Sequence, residues 1–154
     1  MMQHNPFKDF LNELAKALEF SHLEADTHGA CLIVLKEDQL PLLFEFDDSL
    51  VPGTILASCE IAPIPQEIKP IFLEQALIAN HTLEETLSIC PNKDSLFLHR
   101  RIGAKILSDD LKVVIDSLVS QARQWRKKIK DIEETPHEER QESPEKLNIQ
   151  KFKV

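Results

Sequence analysis

The chain has 154 residues, of which 42% are hydrophobic and 29% are charged, and it carries a formal net charge of −8. This size and composition are typical of one globular domain with its own hydrophobic core, and the acidic balance argues against a nonspecific nucleic-acid binder, which needs a basic surface. No apolar run reaches the roughly 20 residues of a membrane span, and the N-terminal MMQHNPFKDF lacks the basic and apolar regions of a signal peptide.

The N-terminal half of the chain predicts one helix followed by three strands. Asn5 is a good N-cap, Pro6 is tolerated at the first helical position, and apolar residues then recur at helical spacing to about Phe20. Three runs rich in aliphatic and β-branched residues follow, with Pro52-Gly53 marking one of the turns between them. Their bounds are 31–37, 42–48 and 54–62. The short linkers between these runs indicate an antiparallel meander.

The C-terminal half predicts a second helix, a hairpin and a long final helix. The second helix is expected from Pro70 to Asn80, and the hairpin arms at 87–90 and 95–101, with a short loop between them. The final helix is expected to begin at Ser108, which can cap it. Its unbroken apolar stripe comprises Leu111, Val114, Ile115, Leu118, Val119, Ala122, Trp125 and Ile129.

Residues 131–154 differ in composition from the rest of the chain. They carry many charges, include prolines and show almost no apolar period, so they cannot bury enough surface to offset the entropy lost on ordering. We therefore expect a folded domain at 1–130 and a disordered charged tail at 131–154. The element order α-βββ-α-ββ-α predicts an α+β fold, in which helices pack on a mostly antiparallel twisted sheet.

The stretch IFLEQALIAN, residues 71–80, has too many apolar positions for a single stripe on a helix. A surface helix of a small domain normally keeps one face polar. The two apolar sides of this helix comprise Ile71, Ile78 and Ala79 on the one hand and Leu73, Ala76 and Leu77 on the other. One side is therefore expected to meet the sheet and the other a second subunit, and the sequence leaves open which side does which.

No sequence motif points to catalysis or to a cofactor. The chain has only three glycines, so it contains no glycine-rich phosphate loop, and it contains no GxSxG, HExxH or EF-hand pattern. Cys31, Cys59 and Cys90 lie far apart within apolar runs and form no CxxC pair, which favours buried reduced thiols of a cytosolic protein. We therefore predict a protein that uses no metal or cofactor and is not an enzyme.

Two acidic positions are weaker candidates for a chemical site. His22 and His28 flank Asp26 in one loop, but a metal site needs three or four converging ligands, so a solvated loop is favoured. Asp47 and Asp48 could form a carboxylate pair, but adjacent residues of a strand point to opposite faces. A turn at the end of the strand is the favoured interpretation of these two residues.

Two further candidates lie in the C-terminal half. Cys90 and His99 fall on opposite arms of the predicted hairpin and could approach each other, but nothing supplies an oxyanion hole or a third catalytic group. The basic run RQWRKKIK at 123–130 would suit nucleic acid. However, cations at the C-terminal end of a helix complement its dipole, and Trp125 continues the apolar stripe. A catalytic Cys–His pair is therefore disfavoured, and the structural interpretation is favoured for the basic run.

Two stretches of the sequence carry a family resemblance. LEQALIAN at 73–80 is similar to a leucine-rich helix that ends in an Ala-Asn pair, and LKVVIDSLVSQARQWRKKI at 111–129 is similar to a closing helix with a tryptophan near its end. Together with the element order, they resemble the class I type III secretion chaperones, the family that includes the Tir chaperone, over residues 5–130. One departure is HTLEETLSICPNKD at 81–94, which lacks the glycines that family members often carry there.

The resemblance implies a small homodimer in the bacterial cytoplasm that binds the N-terminal chaperone-binding segment of one or more secreted effectors. The segment would wrap around the dimer in extended form and stay soluble and secretion-competent without ATP, with neither nucleic acid nor a membrane as a partner. A heterodimer with a related chaperone stays open. The alternatives are a regulatory or adaptor domain that resembles the YbjN-like proteins and binds a folded protein, and an enzyme with an unrecognised site.

The resemblance also places the effector contacts on the first helix and on the sheet. The first helix has more apolar positions than a narrow stripe needs, so its apolar residues are expected to divide between core and groove. In the strands, Leu32, Val34 and Leu43 point away from the other apolar residues of their runs. Effector contacts are therefore expected at Phe7, Phe10, Leu11, Leu14, Leu32, Val34 and Leu43. Dimer contacts are expected at Leu73, Ala76 and Leu77.

Overall fold

The computed structural model describes residues 5–49 and 51–134, which form three helices and one five-stranded sheet. The helices are α1 (Pro6–Leu18), α2 (Lys69–Asn80) and α3 (Ser108–Glu134). The strands are β1 (Ala30–Leu35), β2 (Leu40–Phe46), β3 (Thr54–Pro63), β4 (Thr86–Cys90) and β5 (Ser95–Gly103). The elements follow the predicted order α-βββ-α-ββ-α, and the predicted α+β fold class is confirmed.

Local capping chemistry fixes both ends of α1. The Asn5 side chain accepts hydrogen bonds from the backbone N–H groups of Phe7 and Lys8, at 3.1 and 3.2 Å. Pro6 occupies the first turn, where a backbone N–H would have no partner within the helix. Glu19 then adopts a left-handed backbone with a φ of 61°, which stops the helix slightly before the predicted position.

The sheet is antiparallel throughout, with the strand order β1-β2-β3-β5-β4. The first three strands form the predicted meander, and β4 and β5 form the predicted hairpin, which joins the meander because β5 pairs with β3. β1 and β4 are therefore the two edge strands. β1 ends at Leu35, before the predicted residue 37, because Gln39 takes a left-handed φ of 54° in the turn that leads into β2.

The core lies between the helices and one face of the sheet, the inner face. Alternate residues of the strands point to this face and are buried. They include Ile33, Leu42, Phe44, Ile55, Ala57, Cys59, Ile61, Leu96, Leu98 and Ile102. The helix α1 covers β2 through Phe10, whose ring lies 5.9 Å from that of Phe44. The helix α3 contacts α1, β3 and β5, so the three helices share this side of the sheet and leave the opposite, outer face uncovered.

The long helix α3 ties the other elements together. Trp125 is buried, and its ring meets the ring of Phe72 on α2 edge-on, at 6.1 Å. The Arg126 guanidinium donates hydrogen bonds to the backbone carbonyls of Ile61 and Asp38, each at 2.8 Å. These contacts hold the turn between β1 and β2 against the C-terminal half of α3.

The final helix continues past residue 130, where the sequence predicts the end of the folded domain. α3 continues to Glu134, so residues 131–134 are helical rather than part of the tail. The half-buried Ile132 packs against the core and extends the apolar stripe by one turn. Residues 135–154 lie outside the described residues, so the disorder predicted for them stays a prediction.

Candidate binding surfaces

The outer face of the sheet carries apolar side chains near the β1 edge. Leu32 is 60% exposed and Val34 is 45% exposed, because they alternate with buried residues of the same strand. Leu43 on β2 is half-buried and is the direct cross-strand neighbour of Leu32. The structure therefore brings the three predicted sheet residues together at one margin of the outer face.

The strand β1 also has an open edge. It pairs with β2 on one side, and no strand of the described chain pairs with its other side. The backbone N–H and C=O groups along such an edge are a template for an added strand unless charges, prolines or bulges blunt it. The sequence of β1, ACLIVL, contains neither a charge nor a proline. The edge is therefore suited to accept a further strand.

A groove of about 800 Å³ lies beside the β1 edge, between the end of α1 and the middle of α3. Its apolar lining comes from Leu18, Leu35 and Val119 among others. Its charged rim comprises Lys36, Glu37, Asp116, Arg123 and Lys127. The sequence did not reveal this groove because Leu18 and Leu35 are the last apolar residues of two separate elements, and only the tertiary packing makes them neighbours.

The four α1 residues that were expected to divide between core and groove are all buried. Phe10 and Leu14 are completely buried, because α1 packs on both the sheet and α3 and so needs a wide apolar stripe. Phe7 and Leu11 keep small exposed fractions, 7% and 2%, and both line a second groove of about 250 Å³ beside the loop at 22–25. This corrects the prediction for Phe10 and Leu14, which offer no surface to a partner in the described structure.

The helix α2 exposes two leucines that are one turn apart. Leu73 is 40% exposed and Leu77 is 72% exposed. Ala76, predicted to share their side, is instead buried in the core together with Phe72. Residues four apart share one side of a helix, so Leu73 and Leu77 lie on the exposed side, and Phe72 and Ala76 lie on the buried side. Of the three residues predicted for the interface, only the two leucines are exposed. The residues of the opposite predicted set, Ile71, Ile78 and Ala79, are half-buried.

His99 lies in the middle of the outer face between two serines. Its Nδ1 is 2.8 Å from Ser58 Oγ and its Nε2 is 2.6 Å from Ser88 Oγ, while its ring stacks on Phe97 at 5.9 Å. Burial lowers the pKa of His99, and the nearby charge of Arg101 lowers it further. The neutral imidazole is therefore favoured at this position.

The cysteines do not form a reactive site in the described structure. Cys90 lies opposite Ser95 in the hairpin, whereas His99 lies opposite Thr86, so the Cys–His pair weighed from the sequence does not form. Burial raises the pKa of the Cys59 thiol to about 12, which keeps it protonated at neutral pH. These cysteines are free, as the sequence predicts.

The aspartates that the sequence offered as candidates for a chemical site instead make structural contacts in and around turns. Asp26 accepts hydrogen bonds from two backbone N–H groups of its own loop, at 2.8 and 3.0 Å. Asp48 accepts one from Gly53 at 2.6 Å, and Asp47 pairs with Arg101 at 3.1 Å. Within residues 5–49 and 51–134, no three side chains are arranged to hold a metal ion, and no helix is long and apolar enough to cross a membrane.

The basic run at 123–130 stabilises the fold. The Arg123 guanidinium lies 2.8 Å from the Asp38 carboxylate, and this hydrogen bond lowers the pKa of Asp38. Lys128 lies over the Trp125 ring, 4.2 Å from its centroid, as in a cation–π pair. These contacts support the structural interpretation of the run over a nucleic-acid surface.

Comparison with known proteins identifies the family. The profile of the Tir chaperone protein (CesT) family matches residues 9–126. The fold is similar to that of a chain in the HopA1–SchA chaperone–effector complex, with 20% identity and a TM-score of 0.64 over 79% of this chain and 94% of that chain. A chain in the ExsC–ExsE complex has 14% identity and a TM-score of 0.65, over 79% of this chain and 92% of that chain. A chain in the ExoT–SpcS complex from Pseudomonas aeruginosa has 13% identity and a TM-score of 0.55, over 79% of this chain and 98% of that chain.

The profile match carries the family assignment, and the solved structures support the fold. No curated protein matches this sequence closely enough to count as a relative. At these low identities the solved structures establish a shared fold alone, whereas the family profile covers most of the chain. The resemblance predicted over residues 5–130 is therefore confirmed, and the chain belongs to the Tir chaperone protein (CesT) family of class I type III secretion chaperones.

Proposed function

We propose that this protein is a cytoplasmic chaperone that binds the N-terminal chaperone-binding segment of one or more secreted effectors and keeps it soluble and secretion-competent without ATP. The observation that carries the proposal is the open β1 edge, with Leu32 and Val34 exposed on its outer side and an apolar groove beside it. Membership of a chaperone family supports the proposal, and so does the similarity to a chain of a chaperone–effector complex.

Strand addition would let this edge hold segments of different sequence. The backbone groups of β1 would pair with any extended segment, and the apolar positions nearby would select apolar residues at alternate positions. Covering the exposed parts of Leu32 and Val34 would contribute roughly 1 kcal/mol each, about half of what full burial of such side chains contributes. Because ordering the segment costs entropy, a long wrapped contact is expected rather than a compact one.

The proposal includes a homodimer that forms through α2. Leu73 and Leu77 are exposed on the same side of this helix, and a twofold axis would bring the same two side chains of a second copy against them. The β1 edge lies at the opposite end of the strand order from β4, which α2 contacts. The dimer would therefore leave both β1 edges free for effectors. A related chaperone with a similar helix could take the place of the second copy.

Co-purification followed by limited proteolysis tests the function. The chain, recovered from its native cell, is expected to bring with it a secreted protein whose N-terminal segment is protease-sensitive alone and protected in the complex. Identification of the protected fragment by mass spectrometry then defines the bound segment. Recovery of folded cytosolic regulators alone would contradict the proposal and favour the adaptor alternative.

A further inference from the structure

The turn that precedes β1 closes one end of the β1 edge. The Ala30 N–H donates to Asp26 Oδ1 at 3.0 Å, and the Ala30 carbonyl accepts from the Asp26 N–H at 2.7 Å. Ala30 therefore turns both of its backbone groups away from β2 and toward the edge. Asp26 takes the position there that a residue of a further strand would occupy.

The two exposed residues of β1 keep their backbone groups free. In an antiparallel ladder, the N–H and C=O of one residue point to the same side, and successive residues alternate between the two sides. Because Ala30 faces the edge, Leu32 and Val34 face it too, whereas the intervening Ile33 bonds to β2. Pro41 agrees with this alternation, because it lies opposite Val34 and has no N–H to donate. Within the described chain, the edge groups of Leu32 and Val34 have no hydrogen-bond partner.

A strand added at this edge is therefore short and has a fixed register. Every strand pair of the sheet is antiparallel, and a segment antiparallel to β1 enters at the Leu35 end. It cannot stay paired beyond the residue opposite Leu32, because Asp26 holds the next hydrogen-bonding position. Directly opposed residues share a face of the sheet. The residues opposite Val34 and Leu32 therefore lie on the outer face beside these exposed side chains, where apolar residues fit.

At the Leu35 end, the inner side of the edge opens into the groove between α1 and α3. Leu35 follows the buried Ile33 on the inner face, and it lines the groove together with Leu18 and Val119. A residue of the segment opposite Leu35 would point to the same face and bring its side chain over this apolar lining. An apolar residue therefore fits that position as well.

Two lysines give the rim of this groove a positive charge. The carboxylates on the rim, Glu37 and Asp116, are already paired with basic side chains. Lys36 and Lys127 lie on the same rim and form no ion pair with a carboxylate of the described residues. A segment antiparallel to β1 passes Lys36 before it reaches Leu35. An acidic residue directly before the paired section therefore complements the rim.

We propose that β1 binds effector segments in which an acidic residue is followed by two apolar residues, one residue of any kind and a further apolar residue. This pattern rests on the proposed function and names the segment that the same edge accepts. The acidic residue faces Lys36 and Lys127, and the apolar residues meet Leu35, Val34 and Leu32 in turn. The backbone groups of the edge supply the affinity, and the side-chain positions supply the selection.

The turn at Asp26 sets the register of the bound segment. A strand that slips by one residue turns all of its side chains to the opposite face. Because the edge is closed at Ala30, the paired section ends at one place, and the alternating apolar residues are held on the outer face. Asp26 is therefore a positioning residue that acts through the backbone of Ala30.

Amide hydrogen exchange of the full chain without an effector tests the state of the edge. NMR is expected to show fast exchange at Leu32 and Val34 and slow exchange at Ala30 and Ile33. Asp26→Gly is expected to speed exchange at Ala30 several-fold, whereas Asp26→Asn keeps the side-chain acceptor and is expected to keep it slow. Slow exchange at Leu32 and Val34, or fast exchange at Ala30 in the wild type, would overturn the proposal.

Synthetic peptides test the pattern. The probe carries Glu-Leu-Val-Thr-Val between flanking serines, and in the matched control peptide a lysine replaces the glutamate. NMR titration with millimolar peptide is expected to shift and protect the Leu32 and Val34 amides of the full chain, with several-fold weaker binding of the control peptide. An unchanged β1 with both peptides, or equal affinities for the two, would overturn the pattern.

Charge variants of the chain test the acidic position. Lys36→Glu/Lys127→Glu is expected to reverse the preference, so that the lysine peptide binds more tightly than the glutamate peptide. Lys105→Glu/Lys130→Glu is the matched control, because it makes the same change of charge at exposed residues outside the groove, and it is expected to keep the preference. A preference that is unchanged in the first variant would overturn the assignment of the acidic residue to these lysines.

A longer peptide tests the closed end of the edge. Adding Thr-Val after the last valine would place an apolar residue opposite Ala30, where Asp26 lies. The wild type and Asp26→Asn are expected to bind the longer peptide no more tightly than the shorter one, whereas Asp26→Gly is expected to bind it several-fold more tightly. An equal gain in all three proteins would overturn the role of Asp26.

Failure of this pattern can be told apart from failure of the proposed function. A secreted protein that co-purifies with the chain, while the peptides leave β1 unchanged, would overturn the pattern and support the function. Peptides that bind β1 as expected, while only folded cytosolic regulators co-purify, would contradict the function and support the pattern of the edge.

Discussion

The pKa of the single residue His99 makes the stability of the protein depend on pH. Burial holds this pKa below its ordinary value of 6.5, so the contribution of His99 is fully present above that value and is lost as the pH falls through the lowered pKa. The free energy of unfolding is expected to decrease more between about pH 7.5 and about pH 5.5 in the wild type than in His99→Gln. Urea titrations at the two pH values measure this difference, and an equal decrease in both proteins would contradict it.

Phe10 and Leu32 show how differently two large apolar side chains contribute to stability. Phe10 is completely buried, so Phe10→Ala is expected to lower the free energy of unfolding by about 3–5 kcal/mol through the cavity it leaves. Leu32 is mostly exposed, so Leu32→Ala is expected to change the same free energy by less than about 0.5 kcal/mol. Denaturant titrations measure both changes. A loss for Leu32→Ala as large as that for Phe10→Ala would show that the outer face is covered.

At the scale of single elements, α2 is expected to hold two copies of the chain together. Leu73→Asp/Leu77→Asp would place charges in an apolar contact that leaves them unpaired, so this variant is expected to be a monomer and the wild type a dimer. Light scattering measures the masses. Val113→Asp is the matched control, because Val113 is a similarly exposed aliphatic residue on α3 and is 69% exposed. A dimeric double variant, or a monomeric wild type, would contradict the assignment of this interface.

The attachment of α3 to the turn between β1 and β2 depends on Arg126. Arg126→Met keeps an apolar stem but removes the donors to the Ile61 and Asp38 carbonyls, so it is expected to lower the free energy of unfolding by about 1–3 kcal/mol. Lys130→Met is the control, because Lys130 is exposed on the same helix, and it is expected to change stability by less than about 0.5 kcal/mol. Chemical denaturation measures both, and equal effects would contradict the role of Arg126.

The sequence predicts well the elements whose signals are local. Asn5 and Pro6 specify the start of α1, because a capping side chain and a residue without an N–H suit the first turn whatever lies around them. Strict alternation separates Phe44, which is buried, from Glu45, which is exposed. The same alternation predicts the exposure of Leu32, since a strand with one covered face must turn every second residue to the other.

The features that the sequence did not resolve depend on contacts between distant elements. The helix α2 is apolar on several sides, so its sequence does not show which side is buried. Trp125 of α3 packs against Phe72, and Ala76 is buried on the same side of α2. Similarly, the sequence leaves open whether Leu14 belongs to the core or to a groove, and Leu14 is completely buried in the structure, where α1 packs on both the sheet and α3. The groove beside β1 is lined by residues of three separate elements, so no local sequence pattern predicts it.

At the scale of the whole molecule, the placement of the helices decides which surfaces are free. All three helices lie on the inner face, so the described chain offers partners the outer face, the β1 edge and the exposed side of α2. These surfaces are separate, because β1 and the β4 strand that α2 contacts are the two ends of the sheet. The proposed dimer contact and the proposed effector contact therefore involve different residues of the same subunit.

An effector segment that binds at the β1 edge is expected to stabilise the whole folded molecule. A ligand that binds only the folded state raises the free energy of unfolding by about 2.7 kcal/mol at a hundredfold excess over its Kd, which corresponds to a rise in Tm of roughly 10 °C for a domain of this size. Leu32→Asp/Val34→Asp is expected to lose this rise, because the charges would face the apolar residues of the segment, whereas Val113→Asp is expected to keep it. Thermal unfolding with and without the segment measures the rise. A double variant stabilised as strongly as the wild type would place the effector on another surface.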